Sequence, residues 1–359
     1  MVFIEFMKIL ITGIAGFVGC SIAEYFVKMQ PGIEILGIDN LSRRGSENNL
    51  ENLKNLGCKF FHGDIRCKED IIDLPKVDWI IDCAANPSVL AGLEGGSQGL
   101  VNNNLTGTIY LLEKCKKDNA GFIMLSTSRV YSINELNNIP LIENEYSFNL
   151  GEETSLIPGY SHLGIGENFS TASPISLYGS TKLASEILAL EYHYTFGFPV
   201  WINRCGVIAG PGQFGKIDQG IFSFWIYQYL LGKPLSFIGF GGEGKQARDL
   251  VHPYDIYIII EKQISQPSSK KNKIINLGGG VENYLSLLQL DNFCKENIDI
   301  NKVINKIPDN RAFDIPLYIT DYSLAEQDWD WRPTIKAEEI LQAILKYGHD
   351  NLGHLKRIG

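Results

Sequence analysis

The chain has little positive charge relative to its negative charge. Its 359 residues include 32 Lys and Arg against 41 Asp and Glu, which gives a net charge of −9 at pH 7. Binding of nucleic acid needs clustered basic residues that neutralise phosphates, so this balance argues against a nucleic-acid partner. The same balance does not argue against binding of an anionic small molecule, because such a ligand needs only one or two local arginines.

Cysteine motifs and long apolar runs are also missing. The 7 cysteines are scattered without any C-x2-C spacing, which disfavours a zinc knuckle or a dithiol redox motif and is typical of reduced cytoplasmic thiols. The apolar run 221–231 has 11 residues and includes Gln228, whereas a membrane span needs about 20 apolar residues. We therefore expect a cytoplasmic protein with no metal site and no membrane partner.

Strand-like and helix-like stretches alternate through the first half of the chain. Apolar runs predict strands at 8–12, 34–38, 59–62, 79–83, 122–126 and 200–204, and helical spacing predicts helices at 17–29, 99–117 and 178–196. Such alternation indicates a parallel sheet covered on both faces. We predict an α/β fold with a doubly wound parallel (Rossmann) sheet over residues 7–209 and a smaller α/β substrate-binding region over 210–359, with interleaved segments.

The alternation weakens in two places. In the second half, helices are predicted at 221–231, 286–297 and 336–347, with a glycine-rich turn at 239–244. Residues 132–173 are polar and show little periodicity. A loop of that length is uncommon inside a compact domain, so we expect this segment to be either functional or locally folded.

Three glycines follow the first predicted strand and open a helix. They are Gly13, Gly16 and Gly19, with Phe17 and Val18 between the last two. A side chain at these positions would block the turn, keep a pyrophosphate off the helix N-terminus, or hold helix and strand apart. The pattern indicates a phosphate-binding turn for a dinucleotide, and a purely structural turn is the alternative.

An acidic residue, Asp39, ends the second predicted strand. In dinucleotide-binding folds a carboxylate at this place bonds the ribose hydroxyls and would repel a 2′-phosphate, which favours NAD over NADP. Arg43 and Arg44 argue the other way, since arginine can accept that phosphate. The carboxylate carries more weight because it lies at the strand end itself. The alternative is that Asp39 only caps a turn.

A tyrosine and a lysine, Tyr178 and Lys182, lie four residues apart on a predicted helix and so share one face. A cation beside a phenol lowers its pKa from about 10, which lets the phenol act as a general base towards a hydroxyl. The hydroxyls of Ser126 and Thr127 lie at a strand end, where parallel sheets bind ligands. The alternatives are an exposed Tyr–Lys pair and hydroxyls that only cap a strand.

Together, the glycine turn, Asp39, Ala84-Ala85, Thr127 and the Tyr178/Lys182 pair resemble the extended short-chain dehydrogenases/reductases, which include the NAD-dependent nucleotide-sugar epimerases and dehydratases. The resemblance spans residues 7–333. It implies an NAD-dependent enzyme in which Tyr178 is the catalytic base. Lys182 would hold the phenolate and the nicotinamide ribose, and Thr127 would polarise the reacting oxygen.

The resemblance also implies further cofactor contacts. Asp64 and Ile65 match the stretch that bonds adenine, and Asn104 matches the Asn of the helix behind the cofactor. The remaining cofactor-binding residues that it implies are Asn40, Ser42, Arg43, Ala84, Ala85 and Ser126.

A finer resemblance points to the branch that epimerises CDP-linked sugars at C2. It rests on the segments 39–45, 218–220, 244–249, 277–279 and 285–287. It implies that Gln246, Arg248 and Arg311 bind the substrate, the two arginines through bidentate bonds to the pyrophosphate. An ion pair of Arg311 with Asp309 or Asp314 is the alternative. Val207 stands where many 4-epimerases carry an Asn, which bears on the choice of sugar.

The sequence therefore predicts an NAD-dependent epimerase of a nucleotide-activated hexose, with C2 of a CDP-sugar as the leading prediction. A 4-epimerase stays open. A 4,6-dehydratase is disfavoured, because Ser128 and Arg129 replace the Asp-Glu pair that such enzymes carry after the threonine. A catalytically silent NAD-binding regulatory protein is the non-enzyme alternative, and the intact Thr127, Tyr178 and Lys182 argue against it. The resemblance further implies a homo-oligomer formed through helices 99–117 and 178–196.

The Asp39 carboxylate predicts a preference for NAD over NADP. Asp39→Ala should weaken NAD binding by about 1.5–3 kcal/mol for each hydrogen bond lost from the charged group. Calorimetric titration of both dinucleotides into the wild type and the variant measures this. If the wild type binds NADP at least as tightly as NAD, the ribose assignment is wrong and Arg43 becomes the better candidate.

Overall fold

A computed structural model describes residues 7–358 except 94, 153–155, 217, 218 and 301. Its centre is a seven-stranded sheet in the order β14-β10-β5-β4-β1-β2-β3, and every neighbouring pair is parallel. The strands are β1 (Lys8–Thr12), β2 (Glu34–Asp39), β3 (Lys59–His62), β4 (Trp79–Asp82), β5 (Gly121–Thr127), β10 (Val200–Cys205) and β14 (Ile274–Leu277). This confirms the predicted α/β fold with a parallel Rossmann sheet.

Helices cover both faces of this sheet. They are α1 (Phe17–Met29), α2 (Asn49–Asn55), α3 (Lys68–Ile72), α4 (Ser97–Val101), α5 (Gly107–Asp118), α7 (Ser176–Phe196), α9 (Pro253–Ser265) and α11 (Ser323–Trp329). Side chains alternate along β1, so Ile9 and Ile11 pack on one face with Phe26 and Ile260, from α1 and α9. Leu10 packs on the other face with Leu111. The sheet is therefore buried on both sides, as its apolar strands require.

The helix predicted over 99–117 is not regular. It runs as α4, a single π-helical turn at Asn102–Thr106, and α5, so it begins and ends outside the predicted bounds. Asn104 lies in the π turn. Such turns shift the side chains that follow and occur often at functional sites. Hydrophobic periodicity does not reveal the interruption, because the pattern on either side is helical. The helix predicted over 178–196 begins at Ser176.

A smaller region follows the large sheet. Four strands form its sheet, namely β11 (Val207–Ile208), β13 (Ala247–Val251), β15 (Tyr284–Ser286) and β17 (Leu317–Tyr318), and β12 (Ser236–Ile238) pairs with β16 (Asn305–Ile307). Its helices are α8 (Ile221–Leu230), α10 (Leu287–Asn297), α12 (Ala337–Asp350) and α13 (Leu352–Ile358). Trp225 and Ile344 are buried in their common core. Because β14 joins the large sheet, the chain crosses back after residue 210, and the boundary at 209/210 stays a prediction.

Segment 132–173 is locally folded in its described part. It contains α6 (Ile133–Asn138), a hairpin of β6 (Leu141–Glu143) and β7 (Phe148–Leu150), and a second hairpin of β8 (Tyr160–Ser161) and β9 (Gly164–Ile165). The Phe148 N–H donates to the Lys245 carbonyl at 2.9 Å, and the Ile165 N–H donates to the Ile319 carbonyl at 2.8 Å. The hairpins therefore rest on the smaller region. None of the described helices combines the length and apolarity of a membrane span.

The packing of α1 on β1 allows no side chain at Gly19. A Cβ there would lie 2.4 Å from the Gly13 carbonyl oxygen and 2.8 Å from the Ile14 Cα. Gly19→Ala should therefore lower the free energy of unfolding by about 1–3 kcal/mol, as overpacking does, and should weaken NAD binding. Urea unfolding with and without NAD measures both effects.

Gly99→Ala is the matched control. Gly99 lies in α4, and a Cβ there meets no heavy atom within 4 Å. Alanine has the higher helix propensity, so this variant should equal or exceed the wild type by up to about 1 kcal/mol. Equal stability of the two variants would contradict the close contact of α1 with the turn.

Candidate active site

The glycine turn joins β1 to helix α1. The Gly13 N–H donates to the Ile38 carbonyl at 2.9 Å, and the Gly16 N–H donates to the Gly13 carbonyl at 2.9 Å. Gly16 precedes the first helical residue, Phe17, and has no side chain with which to cap this N-terminus. Its N–H groups are left to an anion, as at other phosphate-binding helix ends. The turn therefore fits the pyrophosphate of NAD at the positions that the sequence predicts.

Asp39 lies at the end of β2, directly beside this turn. Its carboxylate accepts the N–H of Ala15 at 3.1 Å and the N–H of Leu41 at 2.8 Å. Burial raises the pKa of Asp39 above its usual value, and the N–H bonds oppose that rise. The carboxylate caps a turn, as the structural alternative supposes. It also stands next to the glycine turn, where the ribose of a bound dinucleotide is predicted.

The loop after Asp39 is tied to the end of β3. The Ser42 N–H donates to the Asn40 side chain at 3.0 Å, and the Asn40 amide donates to Asp64 at 2.9 Å. The Arg66 guanidinium beside Asp64 holds the pKa of that carboxyl well below its usual range. Ile65 is buried next to it. Four of the residues predicted to bind the adenosine half of the cofactor therefore lie on two linked loops.

Arg43 joins the same loop to the smaller region. Its Nη2 donates to the Phe214 carbonyl at 2.6 Å, and its Nη1 donates to the side-chain oxygen of Gln219. Asp218, which belongs to the same sequence motif as Gln219, lies outside the described residues. The guanidinium of Arg43 is thus engaged by the smaller region, which weakens the case for a 2′-phosphate at this loop.

Lys182 acts electrostatically on residues at the carboxyl ends of β4 and β10, namely Asp82, Cys83 and Cys205. Its side chain is buried, and its charge opposes the rise in the pKa of Asp82 that burial causes. The Thr12 hydroxyl donates to Asp82 at 2.7 Å and accepts the Ala84 N–H at 3.1 Å. Ala84 and the next residue, Ala85, are partly exposed at this strand end. Lys182 and the cofactor contacts predicted after β4 therefore lie together at the carboxyl end of the parallel sheet.

Asn104 connects the segment after β4 to helix α7. Its side chain accepts the Asn86 N–H at 2.8 Å and donates to the Thr181 hydroxyl at 3.1 Å. The Ser185 hydroxyl donates to its backbone carbonyl at 3.1 Å. Both ends of the amide are used within the protein, so Asn104 holds the segment behind the predicted cofactor site in place.

Tyr178 and Thr127 meet where α7 crosses the end of β5. The Thr127 hydroxyl lies close enough to Tyr178 to oppose the rise in the pKa of its phenol that burial causes, and the Thr127 oxygen accepts the Arg129 N–H at 3.1 Å. A Cβ at Gly179 would lie 2.2 Å from the Arg129 carbonyl oxygen, so the helix packs directly on this turn. The structure thus brings together the tyrosine and the threonine that the sequence predicts to be catalytic.

The predicted lowering of the Tyr178 pKa by Lys182 is wrong for this structure. Burial raises the pKa of Tyr178 to about 12, and the groups that oppose the rise are the Thr127 hydroxyl and the Arg129 guanidinium. Burial disfavours a phenolate, so a cation must approach to offset it. Arg129 is not among the site residues that the sequence predicts. Its place directly after Ser126-Thr127-Ser128 is the signal that points to it.

A buried ion pair fixes α7 against the sheet. Arg204 on β10 donates to the two oxygens of Glu186 at 3.2 and 2.7 Å. The Ser126 hydroxyl donates to the same carboxylate at 2.5 Å. Ser126, a predicted cofactor contact, is thus hydrogen-bonded to Glu186 inside the protein. No sequence pattern singled out Glu186 and Arg204.

A cleft with about 850 Å³ of empty space, part of it open to solvent, lies between the large sheet and the smaller region. Its polar lining consists of Arg129, Gln219, Gln246, Arg248, Arg311 and Asp314, and Val207 is among its apolar residues. An adjoining pocket of about 440 Å³ shares Gln246 and Arg311 with it and is lined by Phe224, Trp225 and Leu235. The cleft thus has a charged part next to Arg129 and an apolar part beyond it.

Three of the four residues predicted to bind substrate, Gln246, Arg248 and Arg311, line this cleft, and the fourth, Thr127, is not part of its lining. Gln246 donates to the Ile238 carbonyl at 2.9 Å, and its side-chain oxygen is buried without a partner among the described residues. Arg248 donates to the Ile315 carbonyl at 2.7 Å. Arg311 pairs with Asp314 at 3.3 Å, so the ion-pair alternative is present as well.

A dinucleotide turn, an acidic strand end and a tyrosine beside an arginine-lined cleft define an oxidoreductase-type site for an anionic substrate. Residues 9–278 match the model of the NAD dependent epimerase/dehydratase family. The chain belongs to this family, whose cofactor is NAD. The match confirms the family, the enzyme class and the cofactor that the sequence predicts.

Relatives cover nearly the whole chain. CDP-paratose 2-epimerase of Salmonella typhi is 28% identical over 94% of this chain and 97% of its own length. UDP-glucuronate 4-epimerase of Thermodesulfobacterium geofontis is 29% identical over 97% of this chain and 98% of its own. Among solved structures, UDP-glucuronic acid 4-epimerase from Bacillus cereus, in complex with UDP-glucuronic acid and NAD, is 27% identical with a TM-score of 0.75, covering 98% of this chain and 100% of that one.

Tyr178→Phe removes only the phenolic oxygen of the predicted base. We expect turnover to fall by about 10²–10⁴-fold while NAD stays bound, because the ring still fills its place. Tyr146→Phe is the matched control, since that side chain is 44% exposed, lies outside the cleft lining and should not affect turnover. A folded Tyr178→Phe protein with near-normal turnover would refute the role.

The pH profile provides a second readout of the same base. With a pKa of about 12, Tyr178 is protonated at neutral pH, so turnover should rise with pH. Arg129→Met removes a cation that lowers this pKa, so the pKa should rise further and the rising limb should move to higher pH. The limb is measured as turnover at saturating substrate, and an unmoved limb would contradict the electrostatic contact.

Proposed function

We propose that this enzyme inverts C2 of a CDP-linked hexose. The observation that carries the proposal is that the arginine-lined cleft opens beside Arg129, next to the Tyr178 and Thr127 pair. A substrate anchored through its phosphates would thereby present its sugar to the predicted base. The choice of C2 and CDP is supported by the branch segments in the sequence and by the similarity to CDP-paratose 2-epimerase.

Each catalytic side chain has a distinct task in this proposal. In its phenolate form, Tyr178 is the general base that takes the proton of the reacting hydroxyl, and Thr127 hydrogen-bonds the oxygen of that hydroxyl. Bound NAD supplies the acceptor and donor of the hydride. Lys182 lies buried at the carboxyl ends of the strands, where it would orient the nicotinamide ribose. Arg129 offsets the cost of a buried phenolate.

The other end of the substrate would be held by the smaller region. Arg248 and Arg311 bind the pyrophosphate, because guanidinium groups make paired hydrogen bonds to phosphate oxygens. The adjoining apolar pocket with Phe224 and Trp225 binds the nucleobase of the substrate, which is flat and largely apolar on its faces. Gln246 lines both the cleft and the adjoining pocket, and its buried side-chain oxygen can accept a hydrogen bond from the substrate.

A 4-epimerase is the second candidate. The similarity to UDP-glucuronate 4-epimerase, at 29% identity over 97% of the chain, favours it as strongly as the first. A dehydratase is less well supported, because β-elimination needs an acid and a base beside the threonine. Ser128 and Arg129 follow Thr127 here instead.

Turnover in deuterated water tests the proposal. We expect purified enzyme to convert a CDP-linked deoxyhexose to its C2 epimer, with no NADH accumulating. The hydride travels with the bound cofactor, so the hydrogen on C2 should be retained. Proton NMR of the product measures both the configuration and the isotope at each carbon. The Tyr178→Phe protein serves as the matched inactive control.

Two results would overturn parts of this scheme. Full solvent deuterium at C2 would exclude hydride transfer in favour of proton abstraction. Inversion at C4 with none at C2, in a parallel reaction with UDP-glucose or UDP-glucuronate, would keep the hydride mechanism and replace the substrate.

Self-association through α5 and α7 is part of the proposal. Helix α7 exposes apolar side chains, including Ile187 at 55% and Tyr194 at 73%. Exposed apolar side chains grouped on one helix favour a protein interface. A second copy of this chain is the partner that the sequence resemblance implies.

A further inference from the structure

Arg129 is held rigidly between the predicted base and the cleft. Its backbone N–H donates to Thr127 at 3.1 Å, and its carbonyl contacts Gly179 of α7 so closely that no Cβ fits there. Its side chain lines the cleft, and its Nη1 lies 3.5 Å from the Phe313 carbonyl oxygen. The fold therefore fixes a guanidinium at the end of the cleft that is nearest to Tyr178.

Three arginines of the cleft converge on one short segment, residues 311–316. Arg129 donates to the Phe313 carbonyl, and Arg248 donates to the Ile315 carbonyl. Arg311 belongs to the segment and pairs with Asp314. Asp314 pairs with Arg311, and its charge also acts on Arg129 and Arg248. Burial lowers the pKa of Arg248 to about 9, and the nearby like charges of Arg129 and Arg311 lower it further.

The charge of the lining matches a diphosphate. Its titratable described side chains are Arg129, Arg248, Arg311 and Asp314, which together carry two net positive charges. Asp249 follows Arg248 on β13 and so points to the other face of that strand. Its carboxylate accepts the N–H groups of Gly280 and Thr320, each at 3.1 Å, and does not line the cleft. A nucleoside diphosphate linked to a neutral sugar carries two negative charges, whereas a hexuronate adds a third.

We propose that Arg129 binds the sugar-side phosphate of the nucleotide sugar, and that the site takes a diphosphate whose sugar carries no charge. The inference rests on the proposed function for the presence of a nucleotide sugar, and it goes beyond that function in naming a third phosphate ligand and the charge class of the sugar. Arg129 lies nearest to Tyr178, so of the three arginines it is the one placed to meet the phosphate next to the reacting ring.

Binding measurements on the NAD-saturated protein test both parts without relying on turnover. The probes are CDP and CMP, which differ by the second phosphate, and UDP-glucose and UDP-glucuronate, which differ by one carboxylate. In calorimetric titrations Arg129→Met should weaken CDP binding about tenfold or more and change CMP binding much less. Arg129→Lys should recover part of the loss, because it keeps the charge but not the paired hydrogen bonds. The wild type should bind UDP-glucose more tightly than UDP-glucuronate.

Arg332→Met is the matched control, since Arg332 is exposed and lies outside the cleft lining. It should leave all four affinities unchanged. Circular dichroism and NAD affinity check that each variant folds, and Arg129→Lys stands in if Arg129→Met does not. In that case a CDP affinity equal to wild type in Arg129→Lys counts against the phosphate contact.

Several outcomes would overturn the inference. Unchanged CDP affinity in Arg129→Met would show that Arg129 does not hold the second phosphate. Tighter wild-type binding of UDP-glucuronate, lost in Arg129→Met, would mean that Arg129 binds a sugar carboxylate. A wild type that binds neither CDP nor UDP-glucose would also refute it. If Arg129→Met weakens CDP binding much more than CMP binding, while the wild type epimerises no sugar, the proposed function fails and the phosphate contact stands.

Discussion

The contact between helix α7 and the turn after β5 is the constraint on which the site depends. Gly179 lets the helix backbone approach the Arg129 carbonyl, where a Cβ would come within 2.2 Å. At that distance Tyr178 reaches Thr127, and the Arg129 side chain leaves the turn towards the cleft. One close packing therefore positions the predicted base, the Thr127 hydroxyl and a cation together.

Buried charge reinforces this contact. Glu186 is one turn beyond Lys182 on α7, and its carboxylate meets Ser126 and Arg204 near the carboxyl ends of β5 and β10. Transferring two charges from water into the protein interior is costly, so a buried ion pair often adds little net stability. It can instead favour one specific arrangement of the elements that it joins. Its consequence here is a fixed register of α7 against β5 and β10. Burial also raises the pKa of Tyr178, so catalysis needs the cations that the same packing brings near.

Local patterns in the sequence predicted the large sheet well, because strand and helix periodicities arise from neighbours along the chain. Helix α1 runs from Phe17 to Met29 as predicted, and the glycine turn lies beside Asp39. The π turn at Asn104 escaped the same reasoning, since one extra residue in a helix barely disturbs its periodicity. The two hairpins of segment 132–173 escaped it too, because they are held by contacts with the smaller region.

The sequence by itself determined the family, the parallel fold, the cofactor and the spacing of Tyr178 and Lys182. These depend on short motifs whose residues act within one turn or one helix face. Only the tertiary structure decided that Arg129, Arg248 and Arg311 share a cleft, and that Arg129 rather than Lys182 opposes the raised pKa of Tyr178. Charges at distant positions interact according to distance and burial, and both are set by packing rather than by order along the chain.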